Sequence, residues 1–118
     1  MISADYALTP PRPCLDAEPC YEEIPVGFNP GNGYFTDYDV RKAAYWAVFS
    51  GAAGHTYGCN NIWQMYTPKR QPILHPTKPW YESLDLSGAF DMRHLKALML
   101  SRPYFSRIPD QTLILSNR

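Results

Sequence analysis

The stretch Pro13-Cys14-Leu15-Asp16-Ala17-Glu18-Pro19, with Tyr21-Glu22-Glu23 close behind it, decides how the chain is read. A short apolar run delivers two carboxylates and then meets a proline. If Cys14 to Glu18 is a strand, alternation puts Cys14, Asp16 and Glu18 on one side and Leu15 and Ala17 on the other. Pro19 has no N–H to give a neighbouring strand, so the run ends there. Parallel α/β barrels keep their chemistry at the carboxyl ends of strands. Glu18 is therefore the first residue to suspect.

Downstream, Phe28-Asn29-Pro30-Gly31-Asn32-Gly33 is a strong loop signal. Thr36 then caps a helix, with Asp37 and Asp39 in the first turn to complement its dipole. Val40, Ala43, Ala44, Ala47 and Val48 recur on one helical face, and Gly51 and Gly54 end the helix. His55-Thr56-Tyr57-Gly58 reads as a second short strand running into Cys59–Tyr66. The proline-rich, basic segment from Thr67 to Pro79 reads as loop. Ser87 caps a second helix whose apolar face is Met92, Leu95, Leu98 and Met99, and Pro103 stops it. Leu113-Ile114-Leu115 reads as a last short strand. The order strand, helix, strand, helix predicts an α/β fold with parallel strands. Two strands close nothing, and a (β/α)8 TIM barrel takes about 250 residues, so the 118 residues are read as one partial domain, 1–118, with long Pro-rich loops.

Composition excludes several classes. Eleven basic residues balance eleven acidic ones, which gives no electrostatic footprint for nucleic acid or an anionic membrane. Hydrophobic residues make up 45% and aromatics 14%, as in a folded chain. The apolar stretches fall far short of the roughly 20 residues of a membrane span. The N-terminus lacks the basic and apolar regions of a signal peptide. Cys14, Cys20 and Cys59 are an odd set without C-x-x-C spacing and read as thiols. Together with His55 they match no structural zinc spacing, and Gly51-Ala52-Ala53-Gly54 follows a helix where a phosphate loop would open one. No metal or cofactor is expected.

The segment Pro13 to Glu22 resembles the K/R-P-x-x-D-x-E-P-x-Y-E stretch of the apiosidase-like glycoside hydrolases. Arg41 to Gly58, Asn60 to Gln64, Trp80 to Leu84, His94 to Pro103 and Pro109-Asp110-Gln111 continue the likeness in order. Cys20 departs from the residue often found at its place. The resemblance implies the C-terminal portion of a TIM-barrel catalytic domain, the seventh and eighth βα units. In such retaining enzymes the carboxylate ending the seventh strand is the nucleophile, and Glu18 matches it. The acid/base sits on the fourth strand and has no counterpart here. The resemblance thus implies a glycosidase acting on complex plant or bacterial glycans whose isolated fragment is inactive. Its partner would be the N-terminal half of the barrel, and the relatives' export suggests a secreted or periplasmic protein.

Each singled-out residue also has a plainer reading. Glu18 without its motif is an exposed strand-end carboxylate. Asp16 reads as a structural acceptor supporting the site, Glu22 as a loop anchor, and Glu23 as solvated charge. His55 and Tyr57 share a strand face and either look toward a sugar or belong to the core. Asn60 and Trp63 lie where substrate loops belong, the indole suited to stacking on a sugar ring or to packing its own loop. Tyr21 is placed to orient Glu18 or touch substrate. Two further readings stay open: a non-catalytic carbohydrate-binding module, and an inactive remnant with open strand edges.

Overall fold

The computed structural model describes residues 1–113. A short helix, α1 (Ile2–Tyr6), precedes strand β1 (Leu15–Asp16). Helix α2 (Asp37–Phe49) crosses to strand β2 (Gly54–His55), and β1 and β2 pair in parallel, Leu15 with Gly54 and Asp16 with His55. After the single turn α3 (Asn60–Trp63) and the Thr67–Pro79 loop comes helix α4 (Ser87–Leu100). The β-α-β-α order and the parallel pairing are as the sequence predicts. Leu113 closes a 3-10 turn, Gln111–Leu113, while Ile114 and Leu115, read as strand, lie outside the described residues.

Helix α2 starts where its sequence says. The Asp39 carboxylate accepts from both the backbone N–H and the hydroxyl of Thr36, each at 2.8 Å, the reciprocal half of a capping box. Val40, Ala44 and Ala47 are buried, and Gly51 leaves the helix at φ +106, a left-handed conformation that glycine adopts without steric cost. Gly54 already belongs to β2. Helix α4 lies along α2, joined by a core of Ala44, Leu95 and Met99 and by an Arg41–Asp91 ion pair.

Three local expectations need correction. The first strand pairs only at Leu15 and Asp16, not from Cys14 to Glu18, and the ladder resumes at Glu22, bridged in parallel to Cys59. Five residues, Ala17 to Tyr21, span the gap on this side and three, Thr56 to Gly58, on the other. The surplus bows the Glu18 segment out of the sheet, as bulges beside active sites do. Secondly, Ser87 is the first residue of α4 and not its cap, which is Leu86. Thirdly, Leu98 is exposed, because the buried stripe of α4 runs through Leu95 and Met99, one turn apart.

Candidate active site

The bowed segment separates Glu18 from Asp16. Asp16 turns toward β2, its Oδ2 2.9 Å from His55 Nδ1. Glu18, beyond the last paired residue, is exposed and lines an open cleft of about 360 Å3 with Tyr21, Phe28 and Phe35. Asp16 is engaged across the strand pair, whereas Glu18 lies two residues past the last paired position. On the opposite side of Asp16, Leu15 stands 58% exposed.

Glu22 ties the segment down. It is 4% exposed, gives its N–H to the Gly58 carbonyl and takes the Asn60 N–H, both at 2.9 Å. Its carboxylate accepts from the Tyr57 hydroxyl at 2.6 Å and from the Gly88 N–H at 3.4 Å. The second contact places an anion at the start of α4, where helix N–H groups lack partners. Burial foremost, and then the Glu22 carboxylate, push the Tyr57 phenol above its ordinary range. Gly88 is required there, since a Cβ would run into the Glu22 carboxylate and Val40.

His55 and Tyr57 do share a face, but it is the helix-packed one. The His55 side chain is only 4% exposed and borders a cavity with Val48, Met92, Leu95 and Met99. Both side chains border the space beneath α2 and α4, and neither lines the Glu18 cleft. Asn60 is fully buried. Its amide donates to the carbonyls of Glu23 and Leu74 at 3.1 and 2.8 Å, and its oxygen accepts from Trp63 Nε1 and Gln64 Nε2, both at 3.1 Å. The two donor and two acceptor positions of this side chain are thus all engaged within the chain. Trp63 keeps about half its surface exposed with its indole N–H committed to Asn60. Tyr21 lies against Gly58, where a Cβ would enter its ring, and stays in the Glu18 cleft. Burial raises the Cys20 and Cys59 thiols, so neither is an activated thiolate.

The family model of the apiosidase-like catalytic domain matches residues 1–106. The chain belongs to the apiosidase-like family. Two solved structures superpose on it. One, a glycoside hydrolase, is 44% identical with a TM-score of 0.93, over 98% of this chain and 26% of its own. The other, a glycoside hydrolase family 5 protein from Bacteroides vulgatus ATCC 8482, is 40% identical with a TM-score of 0.93 and the same coverage. The apiosidase-like chain thus spans about a quarter of the length of these structures. No curated protein matches it.

Two residues of this apiosidase-like chain have roles that no local sequence pattern signals. Glu23, a solvated charge by its sequence, pairs with Lys78 at 2.8 Å and accepts from Asn61 and Thr77, fastening the Thr67–Pro79 loop to the segment after Glu18. Its partners are 38 and 54 residues away, beyond any local pattern. Phe28 belongs to a loop signal in the sequence and borders the Glu18 cleft in the structure. Among the described residues no three of His, Cys, Asp and Glu converge as a metal site, and no helix is long and apolar enough to cross a membrane.

Proposed function

We propose that this chain carries the nucleophile of a retaining glycoside hydrolase and forms two consecutive βα units of its TIM barrel. The observation that supports this best is Glu18: an exposed carboxylate just past a parallel strand, in a cleft, within a chain of the apiosidase-like family. The other carboxylates of the segment are engaged. Asp16 holds His55, Glu22 holds Tyr57 and Gly88, and Glu23 holds Lys78.

In the proposed reaction a Glu18 oxygen forms a bond to the anomeric carbon as the glycosidic C–O bond breaks. The leaving oxygen takes a proton from a second carboxylic acid. Water then attacks the glycosyl-enzyme, gives that carboxylate a proton and releases Glu18. The second carboxyl must stand roughly 5–5.5 Å from Glu18, and we assign it to the remainder of the catalytic domain that accounts for most of the relatives' length. The substrate is a glycosidic bond in a complex plant or bacterial glycan. Asp16 and Glu22 position the nucleophile segment, while Tyr21 and Trp63 offer the sugar their aromatic faces. The chain alone binds carbohydrate without turnover.

The test joins this chain with a polypeptide supplying the other three quarters of the 44% identical hydrolase. Hydrolysis of an aryl glycoside should fall by three or more orders of magnitude in Glu18→Ala. Azide, small enough to fill the vacated space, should then yield a glycosyl azide of inverted configuration. Hydrolysis as fast as wild type in Glu18→Ala would remove the nucleophile assignment.

A further inference from the structure

Phe28 sits where folding alone gives it little reason to be. Its backbone is at φ +61, a left-handed conformation that is an outlier for a bulky side chain, and yet the side chain is 64% exposed. Packing within this chain does not account for the strain, because the side chain buries little of its surface there. The loop around it is nonetheless firmly built. Pro25 and Tyr34 bridge antiparallel, and the Val26 N–H donates to the Gly33 carbonyl at 3.0 Å. The Asn32 amide donates to the Val26 carbonyl at 3.1 Å, and the Asn29 side-chain oxygen accepts from the Gly31 N–H at 2.9 Å. Gly27, immediately before, is also at φ +61. The loop thus determines the conformation of position 28, which asparagine or glycine would adopt more readily.

We propose that Phe28 is a stacking platform for the sugar ring presented to Glu18, an inference that rests on the glycosidase reading of the same cleft. Both residues line the cleft of about 360 Å3, at the lower end of small-ligand pockets. The C–H face of a sugar would lie on the phenyl ring, its anomeric carbon turned toward the Glu18 carboxylate. Strained backbone of this kind gathers at ligand clamps, where the surrounding structure over-determines it. The ring is 64% exposed beside the cleft, and a hydrophobic contact with a neighbouring protein segment is the competing use that the experiment must separate.

The test uses the chain assembled with the complementary three quarters of the 44% identical hydrolase, with saturation-transfer NMR, methyl apiofuranoside and methyl glucopyranoside as probes, and thermal unfolding of the assembly in parallel. Phe28→Asn should hold or raise Tm, because asparagine tolerates the left-handed region, while weakening sugar binding about tenfold. Phe28→Trp should keep the binding. Binding by Phe28→Asn equal to that of wild type overturns the proposal and leaves the ring to a protein contact. Absence of transfer from wild type to both sugars overturns it as well. Glu18→Ala separates this from the nucleophile reading: it should retain stacking on Phe28 while abolishing hydrolysis in the complemented enzyme.

Discussion

The Glu22 carboxylate meets the Tyr57 hydroxyl, two residues past β2, and the first turn of α4, 35 and 66 residues along the chain. Tyr57→Phe removes one of its donors and leaves a buried oxygen without a partner, which costs about 1–3 kcal/mol. Urea unfolding of the two chains at neutral pH measures this. The pH dependence has a definite sign. Tyr57 has its phenol raised above 10.0 in the folded chain, by burial first and by Glu22 next, so its contribution is complete below the unfolded pKa and lost as pH rises through the folded one. Wild type should therefore lose stability above about pH 10 faster than Tyr57→Phe, and the gap between the two should narrow. A gap that stays constant would show that Tyr57 does not titrate differently on folding. The position of Glu22 past Pro19 already suggests a loop anchor. Its partners were not legible, since neither Tyr57 nor Gly88 stands at a spacing that sequence periodicity detects.

Elements were legible in proportion to how local their determinants are. Helix α2 is specified within one turn, Thr36 with Asp39, and its buried face follows the helical period. Helix α4 takes its N-terminal anion from Glu22, so inspecting Ser87 leads to the wrong partner. The strand pairing ends at Asp16 because of the surplus residues before Glu22, a mismatch that appears only when both strands are laid together. Gly88 shows the conflict of scales most sharply. By helix propensity, Gly88→Ala should stabilise α4 by up to about 1 kcal/mol. The added Cβ would collide with the Glu22 carboxylate and Val40, and overpacking of that sort costs about 1–3 kcal/mol. The collision should win, because both neighbours are themselves buried. The expected result is a lower Tm and release of the Tyr57–Glu22 contact; a higher Tm would mean that the helix start moves freely.

At the scale of the molecule, surface outweighs interior. Accessible area is 8488 Å2, whereas a self-contained protein of 13.5 kDa exposes about 6,500 Å2. The radius of gyration is 16.5 Å against about 13.5 Å for a compact chain of this length. An excess of about 2,000 Å2 is well beyond the ~800 Å2 that each partner contributes to an ordinary interface. It is of the size left when a domain core is divided. The buried apolar set is correspondingly small: Val40, Ala44, Ala47, Ala52, Cys59, Leu95 and Met99, over a two-stranded sheet with Leu15 open on its other side. Sheets of two strands are marginal in water. The chain by itself should thus bind a hydrophobic dye and unfold over a broad thermal range. Adding the complementary three quarters of the 44% identical hydrolase as a separate polypeptide should produce a co-eluting complex, quench dye binding and sharpen the transition. Leu15→Asp, placed on the open side of the sheet, should block that complex while leaving the α2–α4 contact intact, because Leu15 takes no part in the Ala44, Leu95 and Met99 cluster. A sharp transition without dye binding in the chain alone would instead make it a self-sufficient unit, and the exposed face of β1 would then need another explanation than closure by the rest of a glycoside hydrolase.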